Sequence, residues 1–581
     1  MKWKIQLGRH EQPEEIPALA RELGVGQAAV RVLWARGIRD RAAAHRFLQP
    51  TLADLHDPYL LADMDRAVPR LQRAIQSKEK ILLYGDYDVD GTSSVVLLTT
   101  VIRLLGGDVS YHVPHRLKDG YGMRSEVVED AAERGVSLIV SVDTGIRANA
   151  VVEHARVLGI DTIVTDHHLP ETELPPAVAV LNPNRPDCGY PEKNLCGAGV
   201  AFKLASAMLR DCGWSSDKLE RILDSFLKLV AIATVADVVP LTGENRVIVK
   251  RGLEGLHTVR NLGLRALLDV SGFPEGTAPS ARDVAFRVAP RINAAGRMAS
   301  ASDVIEMFLT TEEATARSLA SQLHELNADR QQTEAGIAEA ITKLCLESPV
   351  TDANAGLVFA GEGWHRGVVG IVASRVVERY HRPVFVLGIE NGIAQGSGRS
   401  IPAFHLLEAL ESMPDLFTKF GGHRQAAGLT LPGDRVEEFR ARFEAYAAAR
   451  LGPDDFEREL EIDAEIDLRE ADDKSVMEIL GLGPFGFGNA PPSFVIRNLK
   501  VAAAPDVKKE KHLFLRFQDG SRTLRAKAWN SAERAGELAQ GTLIDAVVQF
   551  EDDAYSAARG YAPWQAIVRD FRKSAAAGGA I

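Results

Sequence analysis

Residues 80–91 read KILLYGDYDVDG. Ile81, Leu82, Leu83 and Tyr84 form a short unbroken apolar run, the pattern of a strand covered on both faces. The run enters a polar loop carrying Asp86, Asp88 and Asp90. Residues 93–107, SSVVLLTTVIRLLGG, then read as a helix that stops at Gly106 and Gly107. The same device recurs in VSLIVSVDTG (136–145), IDTIVTDHH (160–168) and AVAVLNPN (177–184). Strand, polar tip, helix, strand is the order of a parallel α/β sheet. Such sheets bind ligands at the carboxyl ends of their strands. Several of these strands end in Asp, so carboxylates far apart in sequence are expected to converge on one edge.

Around this sheet the chain reads as an α/β multidomain protein. A helical, amphipathic segment over 1–48 contains IPALARELGVGQAAVRVLWARG (16–37) and is read as a packing or docking element. The parallel-sheet catalytic domain is placed at 49–310. Residues 311–350 carry only one glycine, Gly336, and no proline before Pro349, and predict one connector helix on the order of 50 Å long. A smaller α/β domain follows at 351–452. The region 453–575 consists of short apolar runs broken by Gly, Asp and Pro, which suggests a small β-barrel of the OB-fold kind.

Composition bounds the function. The chain has 581 residues, 46 % hydrophobic and 25 % charged, as expected of a globular protein of several domains. No apolar run is long enough to span a bilayer, and the N-terminus turns acidic before any leader-like apolar stretch. Four cysteines without a C-x-x-C pair fit a reducing cytosol, so a cytoplasmic location is expected. The net charge of −11 does not exclude nucleic acid, because binding depends on local charge.

Asp86, Asp88 and Asp90 alternate at a strand end, where like charges repel and a divalent cation relieves them. An EF-hand is excluded, since a strand precedes the loop and no Glu stands at its twelfth position. Asp143, the run Asp166-His167-His168, and Asp237 in ATVADVVP (233–240) add ligands. Mixed carboxylate and imidazole donors suit Mn²⁺ or Mg²⁺. There are more donors than one ion needs, so two ions about 3.5–4 Å apart are expected, set up for displacement at phosphorus. Asp86, Asp143 and His168 are the candidate catalytic groups, with Asp86, Asp166 and His168 also readable as orienting groups.

In order, GDYDVDG, SVDTG, TDHH and ATVADVVP resemble the four motifs of the DHH phosphoesterase superfamily. RINAAGRM (291–298), GSGRS (396–400) and GGHRQAAG (421–428) resemble its RecJ branch, the bacterial single-strand-specific 5′→3′ DNA exonucleases. The resemblance covers about residues 46–570. It implies a DHH catalytic domain, a long connector helix, a DHH-associated domain and an OB-fold. It implies metal ligation by Asp88, Asp90, Asp143, His167 and Asp237, with Mn²⁺ expected and Mg²⁺ a possible substitute. It further implies release of mononucleotides, a role in DNA repair and recombination, and work alongside a helicase and a single-strand-binding protein. A monomer is the default expectation. The competing readings are a DHH phosphoesterase for short oligonucleotides or cyclic dinucleotides, and a non-catalytic DNA-binding scaffold.

Candidate DNA contacts are spread along the chain. Arg287, Arg291 and Arg297 form an arginine-rich stretch around RINAAGRM, suited to bidentate phosphate contact. Arg116 lies in VPHRLKDGYG (113–122) as a clamp for a terminal phosphate. Arg399 and Ser400 follow glycines that would let backbone N–H groups approach phosphate, and His423 has similar glycine neighbours. Residues 497–530 hold nine basic side chains, Lys509 and Arg516 among them, against three acidic ones. Phe514, Phe517 and Trp529 interleave, and at least two of the three are expected inside the barrel.

Overall fold

A computed structural model of the chain describes residues 1–8, 13–115, 120, 122–520 and 522–574. The apolar runs become the centre of a five-stranded sheet in the order Asp108–His112, Lys80–Tyr84, Val136–Val142, Asp161–Thr165, Ala179–Leu181. Every neighbouring pair is parallel. Alternate side chains feed two cores. Ile81, Leu83, Leu138 and Val140 pack under the helices Met64–Gln76, Val89–Leu104 and Gly197–Arg210. Leu82, Tyr84, Ile139 and Val164 pack under Ser125–Glu133 and Asn149–Val157 on the other side. Burial on both faces is why these strands are continuously apolar rather than alternating. Strand order reverses beside Lys80–Tyr84, which puts the crevice for a ligand at its carboxyl end.

The helix Glu313–Glu347 runs for 35 residues, about 50 Å. Ala316, Ala320 and Leu323 bury in the catalytic core. Ile337, Ile341 and Cys345 bury against the next sheet. That sheet is mixed, ordered Lys419–Gly422, Ala426–Pro432, Ile393–Arg399, Val384–Glu390, Leu357–Glu362, with only the last pair parallel. The connector therefore belongs to both cores, one per half.

The C-terminal strands form a closed barrel. Ser493–Val501 pairs with Leu543–Asp552, then Trp564–Lys573, Arg522–Ala528 and His512–Asp519, which returns to Ser493–Val501. Phe494, Leu499, Leu513, Phe517, Val548 and Phe571 fill it.

The N-terminal segment departs from the helical expectation. Lys2–Leu7 is a strand, paired in parallel with Glu459–Glu465, which itself extends the barrel sheet. Trp3, Ile5 and Leu7 alternate with Lys2, Lys4 and Gln6, a period of two outweighed in the reading by the strong helical period after Ile16. The expected helices do form, at Glu15–Leu23, Gln27–Ala35 and Arg41–Leu48. Ala28, Ala29, Val32, Leu33 and Ala44 enter the barrel's own core, and Arg31 pairs with Glu470 at 2.7 Å. The two ends of the chain thus share one core. No helix among the described residues is long and apolar enough to cross a membrane.

Candidate metal centre and nucleic-acid cleft

The strand Lys80–Tyr84 delivers its loop directly into the helix Val89–Leu104. Asp88 caps that helix, its Oδ1 accepting from the Gly91 amide at 3.0 Å. A β-carbon on Gly91 would lie 2.6 Å from the Asp86 backbone, so only glycine lets the loop fold back this tightly. Asp90 sits in the first helical turn. Its two oxygens accept from the Gly197 and Ala198 amides at 2.6 and 2.7 Å, at the N-terminus of Gly197–Arg210. Two amides and a helix dipole fix this carboxylate. Gly197 also makes room for Asp143, whose Cβ would be 2.6 Å from a side chain there.

Asp143 follows its strand in a left-handed conformation, φ +57°. Its Oδ1 is buried and has no hydrogen-bond partner among the described residues. His167 Nε2 approaches that atom at 3.2 Å and stands 3.8 Å from both Asp90 Oδ2 and Asp237 Oδ2. Asp237 arrives from the C-terminus of the helix Ser216–Ala236. Three donor groups result, each with ligand atoms within 4.8 Å of one another: Asp90-His167-Asp237, Asp86-Asp88-Asp143 and Asp143-His167-His168. They overlap at Asp143 and His167, as two neighbouring ions with shared ligands require. The orphaned buried oxygen of Asp143 and the hard, mixed donor set fit divalent cations of the Mn²⁺ or Mg²⁺ type. Asp86, expected as a catalytic or orienting group, also stands in ligand position.

Electrostatics agree with this reading. Burial, then the neighbouring Asp90, Asp88, Asp86 and Asp166, push the Asp143 carboxyl well above its ordinary range. Burial followed by Asp90 and Asp88 pushes Asp237 up to about 9. These carboxylates crowd at a cost that protons relieve in the metal-free state and a bound cation relieves by replacing them. Burial holds His167 below its ordinary value, which keeps the imidazole neutral and able to ligate. Burial also opposes charging of His168, but the hydrogen bond and charge of Asp166 outweigh it and raise the group. The His168 Nδ1 to Asp166 Oδ1 distance is 2.7 Å.

Asp166 is the orienting residue. Beyond His168 Nδ1, it accepts from the Ile146, His167 and His168 amides at 2.9, 2.7 and 3.1 Å. Two residues outside the sequence-derived set complete the support. Asn182 and Asn184 donate to the His168 and His167 carbonyls at 2.8 and 2.6 Å. Their strand, ending in LNPN, was visible in the sequence, but their role was not. Nothing local to CGAG (196–199) marked it as the Asp90 cradle either, apart from its small residues.

His168 and Asp166 also line a cavity of about 630 Å³ with Thr144, Gly145, Arg147 and His423. His423 comes from the second sheet's hairpin, so the cavity lies between the two α/β domains. Arg297 bridges the same two domains, donating to the Gly367 carbonyl at 3.0 Å. The adjacent Gly296 lets its helix press on the Asp86–Asp88 loop, since a β-carbon would meet the Tyr87 carbonyl at 2.5 Å. Gly370 gives the same freedom to Arg399 and Ser397, each 3.3 Å from where its β-carbon would be.

Other expected contacts lie elsewhere. Arg116 falls outside the described residues. Arg287 bonds Asp283 and the Ser271 carbonyl and stacks on Phe273, so its guanidinium is occupied in holding its own region together. Arg291 packs on His324 of the connector, Nε to Nδ1 3.2 Å. Ser400 donates its hydroxyl to the Phe404 carbonyl at 3.0 Å, closing a turn. Nor are the backbone N–H groups of GSGRS open to phosphate as expected. Gly396 and Gly398 are paired in the middle of a sheet, and their missing β-carbons accommodate the Val386 carbonyl and the Phe385 ring. Lys509 sits on a hairpin turn at φ +52°, and Arg516 faces Arg525 across the barrel surface. Phe517 is fully buried, but Phe514 is 37 % and Trp529 44 % exposed, so one of the three aromatics is core rather than at least two. Lys527 lies over both exposed rings, at 5.5 and 5.9 Å.

A carboxylate-histidine centre at the edge of a parallel sheet, a facing second domain and a basic barrel define a DHH phosphoesterase equipped for nucleic acid. The family models agree: "DHH family, N-terminal domain" matches residues 80–234, "DHHA1 domain" 353–449 and "RecJ OB domain" 462–570. Asp237, expected as a ligand from the sequence, lies just past the first matched segment, and the geometry places it beside His167. The chain is 41 % identical to the single-stranded-DNA-specific exonuclease RecJ of Dickeya dadantii, over 83 % of this chain and 84 % of that protein. The crystal structure of RecJ in complex with Mn²⁺ from Thermus thermophilus superposes with a TM-score of 0.82 at 32 % identity, covering 100 % of this chain and 81 % of that one. Its Mg²⁺ complex matches at 0.76 and 30 %, covering 99 % and 79 %. The chain belongs to the RecJ family of single-stranded-DNA-specific exonucleases.

Proposed function

We propose that this protein degrades single-stranded DNA from the 5′ end, hydrolysing phosphodiester bonds and releasing 5′-mononucleotides. The observation that carries the reading is the triple donor cluster around Asp143, whose His168 also lines a cavity between two domains. Asp86, Asp88, Asp90, Asp143, His167 and Asp237 would hold two divalent ions, Mn²⁺ with Mg²⁺ as a substitute, which would supply an activated water and offset charge on the phosphoryl oxygens. The residues do the rest. Asp90 is pinned by the helix N-terminus at 197, and neutral His167 faces the carboxylates. His168, made more basic by Asp166, faces the cavity, where it can hydrogen-bond a phosphate or the leaving oxygen. His423 borders the cavity that would take the terminal nucleotide, and Arg297 and Arg399 are the candidate phosphate contacts beside it. The exposed face with Phe514, Trp529, Lys527 and Arg516 suits upstream bases and phosphates. A phosphoesterase for dinucleotides would have no use for that face.

Every donor of the centre comes from one chain, so a monomer suffices. Substrate and family support a place in cytoplasmic DNA repair and recombination, beside a helicase that supplies single strands and the protein that coats them. The test is single-stranded DNA labelled at either end, incubated with Mn²⁺, Mg²⁺ or EDTA. Labelled mononucleotide should appear early from the 5′ end, only with metal, and Asp143→Ala should abolish it while DNA binding persists. Release from the 3′ end, or turnover by Asp143→Ala, overturns the assignment.

A further inference from the structure

The metal ligand Asp237 is followed at once by a strained residue. Val238 adopts φ +59°, a left-handed conformation that is a true outlier for a β-branched side chain, and 63 % of its surface is exposed. Nothing in the Val238 side chain itself rewards that conformation. Strain of this kind persists only where the surroundings impose it.

The surroundings here are the barrel unit. Residues 483–489 form a small hairpin closed by the bridge between Gly486 and Asn489. This hairpin docks on the segment just after Val238. The Leu241 amide donates to the Phe487 carbonyl at 2.7 Å. Glycine is required at two positions of the contact: a β-carbon on Gly486 would meet Leu241 Cδ1 at 2.7 Å, and one on Gly488 would meet Pro240 Cβ at 2.8 Å. Arg246, 2 % exposed, ties the same segment down one helical turn later. Its Nη2 donates to the Gly483 carbonyl and its Nε to the Phe47 carbonyl, both at 2.7 Å, and it stacks on the Phe47 ring. Arg36 completes the frame by bonding Asn489 and the Ala490 carbonyl. The hairpin and the N-terminal segment thus grip both sides of one turn, whose first residue is a metal ligand.

We propose that this hairpin is a clamp by which the barrel unit, together with residues 36–47, holds Val238 in its strained state and so aims the Asp237 carboxylate at the metal centre. Arg246 is its positioning residue. The barrel then supports catalysis as well as binding DNA: loosening the clamp lets Val238 relax and swings Asp237 out of the donor cluster. The inference rests on the assignment of Asp237 as a ligand.

The experiment measures Mn²⁺ binding to the full chain directly, by electron paramagnetic resonance of free Mn²⁺ without DNA. Wild type, Asp237→Ala, Arg246→Lys and Gly488→Ala are compared, together with each clamp variant carrying Val238→Gly. Supporting partners of metal ligands are typically worth about 10–100-fold in affinity, so each clamp variant should lose about tenfold or more in Mn²⁺ affinity. Binding of single-stranded DNA in EDTA should stay at the wild-type level. Val238→Gly, which accepts positive φ without strain, should return most of the lost affinity; a variant that merely misfolds would not be rescued by a change at 238. Wild-type Mn²⁺ affinity in both clamp variants, or a loss that Val238→Gly does not restore, overturns the clamp. Wild-type affinity in Asp237→Ala instead overturns the ligand assignment beneath it.

Discussion

At the metal centre, Asp90, Asp143 and Asp237 are carboxylates that the fold forces into one buried space. Each has its carboxyl raised, burial being the first cause and the other carboxylates contributing to all three. For Asp237 the folded value is about 9. An unfolded chain holds such a group near 3.9, so between about pH 4 and pH 9 the metal-free folded state carries a proton that the unfolded state has released. Stability of the metal-free protein therefore falls as pH rises through that window, and a bound cation, which replaces the protons, removes the dependence. Thermal unfolding in EDTA should show a lower midpoint at about pH 8.5 than at about pH 5.5, and Mn²⁺ should raise the midpoint more at the higher pH. Asp237→Asn should flatten the EDTA slope. A midpoint in EDTA that does not respond to pH would contradict the picture. The identities of these residues were legible in the sequence because strand ends in a parallel sheet must meet at one edge. The division of labour was only partly legible: Asp86, Asp166 and His168 all read as possible orienting groups, and it takes the tertiary structure to give Asp166 the orienting hydrogen bonds and to set Asp86 among the ligand atoms.

Among elements, the most telling correction concerns glycines and aromatics. Gly396 and Gly398 are expected to let backbone N–H groups approach phosphate, but the backbone of their strand is paired on both sides, and their missing β-carbons leave room for a carbonyl and a ring. Gly91 and Gly197, which do shape the site, open helices and received no reading. On the barrel, strand alternation decides burial: Phe517 points in, and Phe514, an odd number of residues away, points out. Its cross-strand partner is Lys527, and Trp529 lies nearby against His512 at 4.9 Å between ring centroids. Phe514→Ala and Trp529→Ala should each weaken single-stranded DNA binding by roughly 1–3 kcal/mol, leaving Mn²⁺ affinity unchanged. Titration of labelled oligonucleotide in EDTA measures the first, and equal DNA affinity in both variants and wild type would remove this face from the binding track.

Across the whole molecule, the chain's two ends fold together. Leu33, fully buried, lies in the same core as Phe494, Leu513 and Phe571. Leu33→Ala should cost about 2–5 kcal/mol, read as a lower denaturant midpoint for the transition that reports the barrel. A surface-like change of a few tenths would mean the N-terminal helices are an appendage after all. The sequence by itself determined the parallel sheet, the connector and the barrel, and it marked the candidate metal donors. Those features rest on local periodicity and on the requirement that like charges at strand ends share a cation. Only the tertiary structure decided that residues 2–7 complete the barrel sheet, that Arg287 and Ser400 are occupied structurally, and that a hairpin at 483–489 grips the turn after Asp237. The separations run from four residues, between Ser400 and Phe404, to hundreds, between residues 2–7 and 459–464. Which backbone amide, ring or carbonyl lies opposite a given side chain is settled by packing of the whole chain, and no local pattern of residue types carries that information.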